Sequence, residues 1–518
     1  MRLGYVISRA ANFFKKRCAL VCDGKDRTYA EIDENSNSVA NGLINLGLEK
    51  GDRVALVSHN CVEYLETDIA LYKSGLIRVA VNPMLSPPEI AHIIKDSGAK
   101  TVFLSSSLAD LVLPLKGQLD QVKNYVFFSG SNPDVIEYSS LLDNSKNFTC
   151  PWVIEENDIA MLFYTGGTTG VPKGAIHTHE SISTVLNNLQ AEFWHMKQSD
   201  VFLSGGSLAH ANGFRAMVSF LQGAKFIIPA HFEPKAILET IQREKVTILS
   251  TVPTTLIRLC NCEGIHQYDL KSLRLITYGA APMPMDRLKN AIRLFGNCFS
   301  QSYGQAEALM SISVLNIDDH VIGGSENEFD RLASAGRPYM NNEVKIVDEK
   351  ENELACGEVG EVTVRSKIVM KGYWQNPEAT AEALKDGWIH TGDLGRMDED
   401  GFLFLVDRKK DMIISGGYNI YAREVEDVIH EHPAVLEAAV IGVPDENWGE
   451  AVKAIVVLRP GKTATEEEII AFTKKRMASF KKPKSIEFMK SFPLTAAGKI
   501  AKKDLRAPFW IGHKRSIH

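Results

Sequence analysis

The apolar positions of the chain follow two alternating rhythms along most of its length. From residue 52, DRVALVSH (52–59) is a short strand-like run, CVEYLETDIALYKSG spaces its apolar residues like a helix, and LIRVAVNP (76–83) is strand-like again. PPEIAHIIKDSG then reads as helix and TVFLSS (101–106) as strand. The rhythm returns in KFIIPA, EPKAILETIQREK, VTILSTVP (246–253) and LRLITYGAA (273–281). Strands alternating with helices of this length predict an α/β fold of doubly wound, mainly parallel sheets covered on both faces. From about residue 340 the texture changes to short strands and turns, NNEVKIVDEKENELACGEVGEVTVRS, which predicts a small antiparallel β unit. The charged cluster DRKKD (Asp407 to Asp411) ends the strand-like run GFLFLV, and the rest of the chain reads as a compact α+β unit. A boundary there divides the chain into a large domain, 1–408, and a small C-terminal domain, 409–518. At the N-terminus, Leu3, Val6, Ile7, Ala10, Phe13 and Phe14 fall at helical spacing beside basic residues, which predicts a docked first helix.

Composition narrows the class. At 518 residues and 45% hydrophobic the chain can bury large cores. A net charge of −6 gives no basic footprint for nucleic acid. No apolar run reaches membrane-spanning length and no leader with a long apolar core is present. The eight cysteines lack paired C-x-x-C spacing, as in a reduced cytoplasmic protein. A homodimer is left open.

The chemistry gathers in loops. YTGGTTGVPKG (Tyr164 to Gly174) holds four glycines, three threonines and one lysine after the apolar run IAMLF, and before AIHTHESISTVLNNL, which reads as a helix start. Strand, glycine-rich turn and helix form a cradle in which backbone N–H groups converge on phosphate. The P-loop and G-x-G-x-x-G spacings both fail here. Two further loops follow strand-like runs, GAAPMP (Gly279 to Pro284) and QSYGQAE (Gln301 to Glu307); HTGD (His390 to Asp393) and PLTAAGKI (Pro493 to Ile500) come later. In parallel sheets ligands bind beyond the carboxyl ends of strands, so these loops predict one nucleotide site. In it Tyr303 stacks on a base, Glu307 holds Mg²⁺ beside phosphates and Asp393 accepts the ribose hydroxyls.

These motifs, in this order, resemble the acyl-adenylate-forming superfamily, which includes acyl-CoA synthetases, adenylation domains of nonribosomal peptide synthetases and firefly luciferase. The likeness runs from about residue 20 to 506. Its phosphate loop is usually written Thr-Ser-Gly-Thr-Thr-Gly with a later Pro-Lys-Gly; here Gly166 stands for the Ser, a variant associated with fatty acyl-CoA ligases. The resemblance implies ATP, Mg²⁺ and coenzyme A. It assigns the β- and γ-phosphates to Thr165, Gly166, Gly167, Thr168, Thr169, Gly170 and Lys173, with Thr168 and Glu307 at the metal. Gly279, Ala280, Ala281, Pro282 and Tyr303 would enclose the adenine, with Gln301, Ser302 and Gly304 also at the ATP/AMP site; Asp393 and Arg408 would bind the ribose. Lys499 matches the mobile catalytic lysine, His210 in LAHANG the gate of the acyl pocket, and Lys410 the hinge about which the C-terminal domain rotates. Two departures stand out: Ala306 replaces the usual Thr of Tyr-Gly-x-Thr-Glu, and Ala422 sits where proline is common.

The implied reaction activates a carboxylate as acyl-AMP and passes the acyl group to a thiol. It needs charge neutralisation and no protein nucleophile, and no G-x-S-x-G elbow is present. HANGFRAMVSFLQGAKF, beside the expected acyl pocket, is mostly apolar or small and suits a medium or long aliphatic chain or an aromatic ring. Phe214 belongs to that pocket. Arg215 interrupts it, either as a solvated or ion-paired arginine or as the receptor of a second anionic group, as in a dicarboxylic acid. A carrier-protein-charging enzyme and a non-enzymatic nucleotide scaffold are the competing readings.

Overall fold

A computed structural model describes residues 3–165, 171–281, 283–322, 330–495 and 500–511. Two mainly parallel sheets form the body. In the first, the strands lie in the order Ile136–Glu137, Asn124–Phe127, Thr101–Leu104, Arg53–Val57, Ile77–Val81, Ile159–Thr165 and Lys173–Thr178, and only the last pair is antiparallel. In the second, Cys18–Cys22, Lys225–Ile228, Val201–Ser204, Ile248–Ser250, Leu275–Gly279 and Phe299–Tyr303 run parallel, with antiparallel strands at the edges. The alternation in the sequence is therefore present in both halves. Ile77–Val81 is buried at every position, as a strand covered on both faces must be.

The helix Val62–Ser74 is buried along its whole length, charges included. Those charges are paired: Lys73 Nζ lies 2.6 Å from Asp33 Oδ1, and Asp68 Oδ1 accepts from Arg78 Nε at 2.6 Å. Buried charge survives only with such partners. The first helix, Leu3–Phe14, docks as its spacing predicts, with Leu3, Val6, Ile7 and Ala10 buried. Phe14 meets Tyr29 edge-on at 5.5 Å, whereas Phe13 turns outward.

One expectation is corrected. The segment after the glycine-rich loop is a strand, Lys173–Thr178, antiparallel to Ile159–Thr165, and the helix begins only at His179 under a Thr178 cap. The loop therefore spans a hairpin, and no helix N-terminus stands directly behind it. The strand wins because it has pairing partners on both sides: Ile176 N–H donates to Gly372 O at 2.9 Å and Trp374 N–H to Gly174 O at 2.7 Å.

The antiparallel unit comprises Glu343–Val347, Gly360–Arg365, Leu384–Lys385, Trp388–Met397 and Leu403–Arg408. After Arg408 the chain turns, with Asp411 and Met412 N–H both donating to Arg408 O. Ile413–Ser415 then enters a separate sheet with Tyr418–Ile420, Gly449–Leu458, Val435–Asp445 and Ser485–Phe488, beside the helices Ala422–His430 and Glu466–Lys474. No helix among the described residues is long and apolar enough to cross a membrane.

Candidate active site

Three loops leave the carboxyl edge of the second sheet: Gly205 to His210, Gly279 to Ala281, and Gly304 to Ala308. Gly279 is paired in register with Ser302, and a Cβ on it would stand 2.8 Å from Ser302 O, so only glycine fits. Ala280 holds φ +67°, the left-handed region that costs a residue with a Cβ, and such strain gathers at binding loops. Gly304 lets the next turn pass Met310 at a distance no side chain would allow.

That turn presents Glu307. Its side chain accepts from Tyr373 OH at 2.8 Å and its carbonyl from Met370 N–H at 2.8 Å. Lys173, at the far end of the glycine-rich loop, sets its Nζ 5.2 Å from the centre of the Tyr373 ring. One tyrosine thus links the loop lysine to the acidic residue. Burial and then the Glu307 charge push the Tyr373 hydroxyl well above its ordinary pKa, so it stays protonated as the donor. His177, on the post-loop strand, meets Ala306 O at 2.7 Å; burial holds its imidazole down to about 4, so the neutral ring donates. Among the described residues no three His, Cys, Asp or Glu side chains converge on a metal. A lone carboxylate beside phosphates still fits magnesium, which keeps several waters and takes few protein ligands.

On the antiparallel unit, Asp393 pairs across strands with Arg408. Asp393 Oδ2 accepts from Tyr303 OH at 2.6 Å and Oδ1 lies 3.4 Å from Arg408 Nε. A carboxylate has lone pairs left for further hydroxyls after two such contacts. Ser302 and Gly304 flank Tyr303, and Gln301 sits in the same strand.

His210 caps the helix Ala211–Gln222, its ring edge-on to Phe163 at 5.8 Å, in the strand that leads into the glycine-rich loop. With Phe214 it lines a narrow crevice beside Asp68, Tyr72 and Arg78. Arg215 lies apart from that pair, against the Gly206 loop. Gly166, Gly167, Thr168, Thr169, Gly170, Pro282 and Lys499 lie outside the described residues. Lys410 sits in the turn after Arg408; burial first, and then the Arg408 charge, lower its ammonium to about 8.

Tyr373, His177 and Arg78 carry no signal in the sequence. Arg78 Nη2 donates to Leu208 O at 2.8 Å and Nη1 to Met161 Sδ at 3.2 Å, so one buried guanidinium fixes both the loop before His210 and the strand before the phosphate loop. Nothing in LIRVAVNP distinguishes it from a strand-edge arginine.

Loops at the carboxyl edge of a parallel sheet, an acid-bearing turn and a separate C-terminal α+β unit fit an adenylate-forming ligase. Residues 7–374 match the AMP-binding enzyme family and residues 424–499 its C-terminal domain, and the chain belongs to that family. It is 38% identical to the medium/long-chain-fatty-acid–CoA ligase FadD8 of Mycobacterium tuberculosis over 91% of this chain and 84% of that one. It is 36% identical to a feruloyl-CoA synthase of Amycolatopsis over 94% of each. ATP-bound MatB of Rhodopseudomonas palustris superposes with a TM-score of 0.89 at 28% identity, over 99% of this chain and 100% of that one. The protein is an AMP-forming acid–CoA ligase of an ATP-dependent family.

Proposed function

We propose that the acid is a medium- or long-chain carboxylic acid, joined to free coenzyme A through an acyl-adenylate. What carries the reading is the link from Lys173 through Tyr373 to Glu307, beside the Tyr303–Asp393–Arg408 group. The substrate's carboxylate oxygen bonds to the α-phosphorus of ATP, the α–β bridging bond breaks, and diphosphate leaves. The thiolate sulfur of CoA then bonds to the acyl carbon and AMP departs with the electron pair.

Anion meets polyanion in the first step, so positive charge and aimed N–H groups lower its barrier. Lys173 neutralises phosphate, Tyr373 orients the Glu307 carboxylate, and Asp393 holds the ribose. Magnesium bound at Glu307 would supply charge neutralisation to the phosphates. Lys499 would contact the reacting oxygens in the first step only, and the unit 409–518 would turn about Lys410 before the second. FadD8's specificity and the apolar Phe214 and Met217 support an aliphatic chain; the feruloyl-CoA synthase supports an aromatic acid as second reading.

The test is acid-dependent ATP–diphosphate exchange followed by thioester formation over a series of straight-chain acids. A maximum at medium or long chains supports the proposal. Turnover confined to short or aromatic acids, or transfer to a carrier protein and not to CoA, would overturn it.

A further inference from the structure

The helix Pro87–Ser97 joins two strands of the first sheet, Ile77–Val81 and Thr101–Leu104, and buries Ile90, Ile93, Ile94 and Ser97. Ser86 N–H donates to Glu89 Oε2 at 2.9 Å, which fixes the helix start. His92 and Asp96 stand one helical repeat apart and so share a face. Both reach the hairpin that carries the glycine-rich loop, one at each end of it.

His92 Nε2 stands 3.0 Å from Pro172 O, at the loop's returning end. A carbonyl only accepts, so Nε2 carries the proton and donates it. At the outgoing end Tyr164 OH donates to Asp96 Oδ2 at 2.5 Å, a short bond to a charged acceptor. The Tyr164 ring also backs the returning strand. Tyr164 and Gly174 are paired in register, and a Cβ on Gly174 would stand 2.9 Å from that ring. The Asp96 carbonyl accepts from Trp374 Nε1 at 3.1 Å, and Trp374 follows Tyr373, the donor to Glu307. One helix thus reaches both ends of the loop and the segment that orients the acidic residue.

A loop so rich in glycine has few side chains of its own to settle it, so its shape depends on how its ends are held. Lys173 stands between Pro172 and Gly174, both of them held, and brings its ammonium to the Tyr373 ring. Ends fixed before ATP arrives reduce the ordering that binding must impose. We propose that His92 and Asp96 are positioning residues for ATP, holding the two ends of the loop, and Lys173 with them, against the β- and γ-phosphates; this rests on the ligase reading. His92 acts through Pro172 and Asp96 through Tyr164, and neither contacts a reacting atom.

The test measures two reactions of the full chain separately: acid-dependent ATP–diphosphate exchange, and thioester formation from synthetic acyl-AMP and CoA. The second involves no β- or γ-phosphate, so a loop held for those phosphates does nothing for it. H92L, D96A and Y164F should each raise KM for ATP by about tenfold or more, and KM for diphosphate in the reverse direction in parallel. KM for the acid and the rate from acyl-AMP should stay within about twofold of wild type. H92Q, which keeps a side-chain N–H for Pro172 O, should recover most of the loss. An ATP KM within about twofold of wild type in the folded variants overturns the proposal. Equal loss in both reactions also overturns it, since it marks a helix that merely supports the fold. Y164F gives up a single oxygen, so it decides the matter if the other variants fail to fold. Wild type without acid-dependent exchange would sink the ligase reading as well; exchange with an indifferent ATP KM sinks this inference alone.

Discussion

Glu307 is held from two directions, by Tyr373 on its carboxylate and by Met370 on its carbonyl. Glu307→Gln keeps the shape and one acceptor oxygen while removing the charge. It should raise the magnesium concentration needed for half-maximal ATP–diphosphate exchange by about tenfold or more, with the melting temperature little changed. An unaltered magnesium titration would remove Glu307 from the metal. Ala306 beside it lacks the family's hydroxyl, but His177 bonds its carbonyl, so the backbone is fixed whatever the side chain. The missing contact should cost about 1 kcal/mol. Arg78 is a different case. Arg78→Leu would leave Asp68 charged, buried and alone, and breaking such a pair costs about 3–5 kcal/mol. Urea unfolding should show that loss, and replacing both partners by apolar residues should recover much of it. A loss under about 1 kcal/mol would mean that water reaches Asp68.

At the scale of elements, the cluster around the turn joins the antiparallel unit to the C-terminal one. Asp407 accepts the N–H of Ala422, and Arg423 Nη1 donates to Leu405 O at 3.0 Å. Lys502 pairs with Glu426 at 2.7 Å and Arg506 with Asp411 at 2.8 Å. Burial raises the Asp407 carboxyl from 3.8 to about 6. A carboxyl raised on folding contributes stability below its unfolded pKa and loses it as pH climbs, so this contribution should fall between about pH 4 and 6 and stay level above. Comparing wild type with Asp407→Asn in chemical denaturation should show a difference that varies with pH only in that window, by on the order of 1–3 kcal/mol. A difference independent of pH would count against a titrating Asp407. The alternating strands and helices were legible in sequence because burial on both faces leaves continuous apolar runs such as IRVAV. The strand Lys173–Thr178 was not. Its glycine and histidine lack β character, and its pairing comes from residues 371–374, far along the chain. Tyr373 was invisible for the same reason, since only that pairing brings it to Glu307.

For the whole molecule, one site must serve attack by oxygen on phosphorus and then by sulfur on carbon. Lys410 lies in a turn closed by two N–H groups on Arg408 O. Proline at 410 would fix its own φ and push Lys409 away from helical torsions, disfavouring this turn. Lys410→Pro should separate the two half-reactions, keeping much of the diphosphate exchange while losing CoA-dependent turnover by about 10²-fold or more; Lys410→Ala should do far less. Equal loss of both half-reactions, measured separately, would place the pivot elsewhere. The backbone pairing of Gly174 with Trp374 has a consequence for how the protein is made. The hairpin that carries the glycine-rich loop is finished on its outer side by residues 200 positions later, so on a ribosome adding about 5–20 residues per second it waits roughly 10–40 s for its closing strap. Throughout that interval the strand Lys173–Thr178 presents an open edge to chaperones and to other nascent chains, and slow codons before position 372 would prolong the exposure.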